Sequence, residues 1–342
     1  MYSLGRAVVA ASSLLLATTG HGGGNPAFAE DFYAGKTIHL IIASAVGGGY
    51  DTYGRLVAVH IGRNLAGRPA VVPQNMPGAS GIRAANHLYS IAPKDGTAIG
   101  VVDQALTLDQ VLGKPELLAD AAKFNWIGRV SGNNAVLFAS SASPVKKIED
   151  AFTHELIVSA PGTSSKLRWI VLQNVVGLKA KVLSAYKGTS ESRLALQRGE
   201  VHALSMPWTV LKTQEAKALA DGSIHPLMQS GMEKAADLQH IPRMVDLATN
   251  DDDRQLLALF ASPDAIGRAV LAPPGLAAER VAELRRAFMA TMADAEFLKD
   301  VEKMQLELDP LSGEELQKIV AGGATLSPAL VDRARALSDM QQ

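Results

Sequence analysis

The chain has 342 residues, with 33 Lys and Arg against 34 Asp and Glu, and no cysteine. That near-neutral balance supplies no electrostatic footprint for nucleic acid and no basic patch for anionic lipid. Without thiols there are no disulfides, thiol nucleophiles or thiolate metal sites, so an apolar core must hold the fold by itself.

At the N-terminus, Arg6 is the only charged residue before Glu30. An apolar run covers residues 7–17 around Leu14, Leu15 and Leu16, and a small-residue stretch ends in Ala27-Phe28-Ala29. This is the layout of a secretory signal peptide cleaved after Ala29. The run is too short for a bilayer, which takes about 20 apolar residues. Without Arg6 the mature chain keeps 32 basic and 34 acidic residues and has no other apolar stretch long enough to span. The expectation is an exported, soluble protein, of a length usually divided between two domains.

Residues 36–45 (KTIHLIIASA) read as a buried strand, broken by Gly47, Gly48 and Gly49. Asp51 then opens a segment with Leu56, Val59, His60 and Leu65 at helical spacing. PAVVP at 69–73 is a second strand, NMPGASG at 75–81 a loop, 82–90 a helix, PKDG at 93–96 a tight turn, and 98–102 a third strand. The alternation restarts with a strand at 156–160, a loop at 162–165, a helix at 167–176 and a strand at 182–186. A loop at 187–190, a helix at 192–198 and a strand at 201–205 complete that second unit.

Two α/β units follow, each expected to be a mostly parallel sheet flanked by helices. Extended segments at 126–140 and 267–274 join them, so the chain crosses twice between hinged lobes. The expected division is a leader over 1–29, a first lobe from 30–131 plus 265–342, and a second lobe from 132–264. Helices are expected at 279–292 and 312–321, with Ser312 and Glu315 at capping-box spacing.

The segment SAVGGGYDTYGR (44–55) carries the most chemistry. A strand ends, three glycines turn the chain and a helix begins, exposing N–H groups beside the positive end of a helix dipole. Such a turn suits a carboxylate without needing an arginine. It is neither a P-loop, lacking the lysine and hydroxyl, nor a G-x-G-x-x-G fingerprint. Asp51 reads either as an N-cap bonding the amide of Tyr53 or Gly54, or as a ligand contact. Asp103 and Gln104 follow the third strand, where Asp103 reads as a helix cap and Gln104 as a polar contact to a ligand at the strand ends.

Five segments together resemble the Bug/TctC-type solute-binding proteins of tripartite tricarboxylate transporters. They are GKTIHLIIASAVGGGYDTYGR (35–55), PQNMPGASGIRAANHLYSIAPKDGTAIG (73–100), SAPGTSSKL (159–167), AYKGTSESRLALQRGEVHAL (185–204) and LAPPGLAAERVAELRRAF (271–288). The resemblance implies a two-lobed periplasmic binding fold that grips a small organic acid by its carboxylate, through backbone amides and ordered water. Carried over by position, one lobe offers Ala45, Val46, Gly47, Gly48, Gly49, Tyr50 and Asp51, with Ala79 and Ser80 from the second loop. The facing lobe offers Gly162, Thr163, Ser164 and Ser165, with Tyr186, Gly188 and Thr189. Tyr50, inside the glycine loop, and Trp208, after the last strand of the second lobe, depart from the usual pattern. Either could stack on a flat ligand, and Trp208 reads equally as packing near the hinge. Arg83 reads as a solvated helix face or an ion pair, ahead of a ligand clamp.

No enzyme motif competes. None of the seven histidines beyond residue 29 forms HExxH, and Gly78-Ala79-Ser80-Gly81 lacks nucleophile-elbow spacing. The expected protein is a monomeric binder without metal or cofactor. It hands its ligand to membrane transporter subunits or, in a second reading, signals to a sensor kinase.

Overall fold

The computed structural model describes residues 32–160, 163–186, 189–322 and 326–340. The leader expected over 1–29, and Gly162 and Gly188 of the expected site, lie outside the described residues.

The first strand, β1 (Thr37–Ile42), shows why an unbroken apolar run is needed. Ile38, Leu40 and Ile42 enter the core on one face and Ile41 enters the core on the other, so helices cover both sides. Helix α1 (Gly49–Ile61) returns over the first face to β2 (Ala70–Asn75). Helix α2 (Ile82–Ser90) covers the opposite face and leads to β3 (Ala98–Val101). β1 pairs in parallel with both β2 and β3. After α3 (Leu106–Val111), β4 (Asn125–Arg129) belongs to this sheet, and the chain crosses at 130–134.

The second sheet begins with β5 (Ala135–Ser140), then β6 (Leu156–Ser159), α4 (Thr163–Val175), β7 (Ala180–Leu183), α5 (Thr189–Gln197) and β8 (Ala203–Pro207). Two short helices, α6 (Trp208–Gln214) and α7 (Ala216–Ala220), precede β9 (Ile224–Gln229). Helix α8 (Asp251–Ile266) then leads back to β10 (Ala269–Ala272) in the first sheet. Helices α9 (Ala278–Met292) and α10 (Ala295–Lys303), the short β11 (Leu311–Ser312), α11 (Gly313–Gly322) and α12 (Pro328–Asp339) finish the chain.

The strand orders are β11-β4-β10-β3-β1-β2 and β7-β6-β8-β5-β9. Both sheets are mixed. Each keeps a parallel three-strand unit, extended by antiparallel strands where the crossing segments enter: β10 against β3 and β4, and β5 against β8 and β9. The expected crossing at 126–140 is therefore two strands around a five-residue turn. The capping box is present at α11, where Ser312 Oγ donates to Glu315 Oε2 at 2.6 Å and accepts from the Glu315 amide at 3.3 Å.

Helix α12 does not stay with the first sheet. Leu330, Ala334 and Leu337 join the core over the second sheet, beside Trp169 and Leu172 of α4 and Leu256 of α8. Leu108 and Leu112, from and just after α3, enter the same core. No helix among the described residues is long and apolar enough to cross a membrane.

Candidate ligand-binding site

The parallel strands of both sheets end on the edges that face each other across the crossings, where ligands collect in open α/β folds. In the first lobe β1 gives way to a turn whose residues Ala45, Val46, Gly47, Gly48 and Gly49 are all exposed. Gly47 takes φ +87°, which favours glycine. Gly48 is the N-cap of α1, with φ −83° and ψ 170°, and no side chain caps it. A Cβ there would come no closer to other atoms than 3.8 Å, from Ala45 O. Helix geometry leaves the first-turn amides of α1 without intrahelical partners, as donors an anion could meet.

Asp51 locks this turn from below. It is buried, and Oδ2 accepts from the Gly47 amide at 2.9 Å while Oδ1 accepts from Arg55 Nε at 2.9 Å and Asn75 Nδ2 at 2.8 Å. Asn75 also donates to Ser44 O at 3.0 Å and accepts from Arg55 Nη2 at 2.7 Å, tying the end of β2 to the end of β1. The Arg55 hydrogen bond, with those from Gly47 and Asn75, holds the Asp51 carboxyl down at about 2. Neither local reading of Asp51 describes this geometry. It sits at the third position of α1 and reaches back to Gly47, not forward to Tyr53 or Gly54, and these donors occupy both of its oxygens.

The second loop is wound left-handed over four residues: Gly78 at φ 139°, Ala79 at 46°, Ser80 at 51° and Gly81 at 93°. Two adjacent non-glycine residues in that region cost about 1 kcal/mol or more each, strain of the kind concentrated at ligand clamps. The side chains of Ala79 and Ser80 are exposed, while a Cβ on Gly81 would stand 2.9 Å from Asp103 Cβ. Asp103 does not cap α3, whose N-cap is Ala105 and carries no side-chain cap; it forms an Asx turn ahead of the helix, accepting from the Ala105 amide at 2.9 Å.

Tyr50 and Gln104 point into the floor of the hinge and at each other. The Gln104 amide donates to Tyr50 Oη at 2.8 Å, and burial, aided by Asp103, pushes the Tyr50 phenol well above its ordinary range. Gln104 Nε2 donates to Asp264 Oδ1 at 3.3 Å, and its Oε1 accepts from Arg268 Nη1 at 3.0 Å. The Arg268 guanidinium lies 4.3 Å from the centroid of the Tyr50 ring. Asp264, buried in α8, also takes Arg168 of α4 at 2.9 Å and Asn133 of the crossing at 3.2 Å. One carboxylate thus ties the two lobes and their connection together. No motif points to Asp264, Arg268 or Arg168, the last of which lies 96 residues from Asp264 in the chain.

In the second lobe Thr163 and Ser164 open α4 and Ser165 is half-buried in its first turn. Thr189 opens α5 on the surface. Tyr186 Oη donates to Glu200 Oε2 at 3.2 Å. Trp208 packs among Val136, Phe138, Met206 and Leu238, and its indole N–H donates to Asp237 Oδ1 at 2.7 Å. Only 8% exposed, it follows the packing reading and leaves no free face for stacking. Arg83 stands exposed on α2, as its helix-face reading expects.

A cavity of about 750 Å³ opens elsewhere between the lobes, lined by Arg129, Asn133, Asn134, Met232, Leu259 and Lys318 among others. None of the expected ligand contacts lines it. Among the described residues no group of three or more His, Asp or Glu side chains is placed to hold a metal.

A family model described as a tripartite tricarboxylate transporter family receptor matches residues 54–334. Among solved structures, a TctC solute binding protein from Polaromonas with no ligand superposes with a TM-score of 0.66 at 17% identity, covering 89% of this chain and 98% of that one. An R. palustris protein with adipate gives 0.55 at 19% identity, over 89% and 97%. MatC from Rhodopseudomonas palustris with bound malate gives 0.53 at 19%, over 88% and 98%. At these identities the likeness speaks for the fold. Comparison with curated sequences returns no match.

Proposed function

The chain belongs to the tripartite tricarboxylate transporter family of receptors, and we propose that it captures a small organic acid between its lobes and delivers it, unchanged, to transporter subunits in the membrane. One observation carries this reading. Asp51, Arg55 and Asn75 fix the glycine turn at the N-terminus of α1, whose first-turn amides have no intrahelical partners. A carboxylate docked there meets preset donors and the positive end of the helix, and pays little reorganisation.

Across the cleft, Thr163, Ser164 and Ser165 at the start of α4, with Tyr186 and with Thr189 at the start of α5, supply the second half of the grip. Ligand bridging both lobes favours the closed arrangement by its differential affinity for it. Malate and adipate, bound by the structural relatives, set the ligand class to try first. The protein works as a periplasmic monomer after removal of a leader ending at Ala29, which an intact mass beginning at Glu30 checks.

The decisive experiment is a melting-temperature screen of the mature protein against di- and tricarboxylates, aromatic acids and acidic amino acids. One or a few acids raise the midpoint and are recovered intact by mass spectrometry. Turnover of the stabilising acid, or no response to any acid, sinks the reading.

A further inference from the structure

Arg268 carries a charge that the protein leaves unpaired. It stands where the chain re-enters the first sheet, its amide donating to Ser131 O at 2.8 Å and its carbonyl accepting from the Val130 amide at 2.9 Å. Its side chain runs beneath the glycine turn, and a Cβ on Gly49 would stand 3.5 Å from Nη2. Its Nε is enclosed and has no hydrogen-bond partner. Among the described residues no carboxylate oxygen comes within the 4.0 Å of an ion pair. Asp103 and Glu307 feel its field without reaching it.

The other arginines near the hinge are treated differently. Arg168 also keeps an enclosed Nε without a partner, but Asp264 neutralises it at 2.9 Å. Arg129 pairs with Asp309 at 2.7 Å. Arg268 instead has a ring face and an amide oxygen, which orient a cation without cancelling it. Gln104 holds that arrangement. Asp264 on its Nε2 side and Arg268 on its Oε1 side fix the amide against flipping, while its main-chain N–H fixes Tyr50. A half-buried cation without a counter-ion is less well compensated than its paired neighbours and gains from an arriving anion.

We propose that Arg268 is a ligand-contacting residue, whose guanidinium beneath Gly49 pairs with an ionised carboxylate of the bound acid and adds a charge-assisted contact to the main-chain amides of the turn. This rests on the receptor reading above and narrows it. The cleft selects an ionised acid over its amide or ester, and Tyr50 and Gln104 act as positioning residues for the arginine.

Arg268→Gln and Arg268→Lys, compared with wild type in two measurements, test the proposal. In the first, no ligand is present. The glutamine variant melts at or above wild type, because the unpaired charge has gone; a fall of several degrees would make Arg268 a structural residue and overturn the idea. In the second, calorimetry is run with malate, adipate and each acid that stabilises wild type in the screen. Arg268→Gln binds roughly tenfold to a hundredfold more weakly, the range of a charge-assisted hydrogen bond, and Arg268→Lys falls between. Equal affinity for wild type and Arg268→Gln overturns the assignment while leaving the receptor reading intact. A wild type that binds no acid sinks the receptor reading, and the ligand-free melting comparison still decides whether Arg268 serves the fold.

Discussion

The described strand ends of the two lobes are held in different ways. In the first lobe the turns after β1, β2 and β3 are wired together: Asp51 and Asn75 join two of them, and Gly81 lets the second sit against Asp103 of the third. In the second lobe the described ties at the strand ends are single pairs. Ser159, the last residue of β6, donates to Ser192 Oγ of α5 at 2.6 Å, Tyr186 makes one long contact to Glu200, and Thr189 stands on the surface. The difference teaches a division of labour. A wired surface keeps its shape and meets a constant part of a ligand at low entropic cost, whereas one held through single pairs can adapt to whatever remains.

Substitutions can break that contrast, and the largest effect is expected at Gly81. Its φ of 93° and the 2.9 Å approach to Asp103 Cβ leave no room for a side chain. Gly81→Val should cost about 2–4 kcal/mol of stability in chemical denaturation, from backbone strain and overpacking together. Gly199, in the second lobe, also has positive φ, at 74°, but a Cβ there meets nothing within 4 Å. Gly199→Ala should cost clearly less, and equal losses would erase the contrast.

Asp51→Ala comes next, at about 2–3 kcal/mol, because it strands the Gly47 amide, Arg55 and Asn75 without their shared acceptor. The same residue gives a pH signature. Its carboxyl titrates at about 2 in the folded chain and near the usual ~3.9 when unfolded. The depressed value means that its contribution is present above pH ~4 and is lost as pH falls toward 2. An Asp51→Asn variant should lose stability less steeply over that window; parallel curves would remove Asp51 from the wiring.

Gly48→Val acts on binding, not folding. With 3.8 Å to the nearest atom and an ordinary extended φ, valine fits the fold. Its branched side chain covers the amides that the cleft presents, so affinity should fall roughly tenfold or more, about 1.4 kcal/mol, with little change in melting temperature. Unchanged affinity in the folded variant would move the site away from this turn. The smallest effect belongs to Tyr186→Phe, whose loss of an exposed contact should cost less than ~0.5 kcal/mol of stability. A larger loss would mean that the second lobe is wired as well.

Much of the fold was legible because its strands obey simple rules. The run around Ile38 to Ile42 had to be covered on both faces, and the Ser312–Glu315 spacing capped α11 as its residues required. Residues 209–266 were not legible. β9 contains Pro226, tolerated because the strand lies at the sheet edge, and α8 contains Pro263 near its end, so both carry a residue that usually breaks the element it occupies. Within the first-lobe site, the glycine turn could be read locally, but Asp51 could not, since its partners include Asn75, 24 residues away. Arg168, Asp264 and Arg268 meet only after the hinge has formed.

The position of α12 reaches into how the protein comes into being. The second lobe occupies the middle of the chain, yet its core is sealed by Leu330, Ala334 and Leu337 near the end. A growing polypeptide therefore cannot finish that lobe until Leu337 has emerged, and until then Trp169, Leu172 and Leu256 lack their cover. Cutting the chain before Leu330 would leave the same gap, so a distant segment is itself a condition for completing the lobe that precedes it.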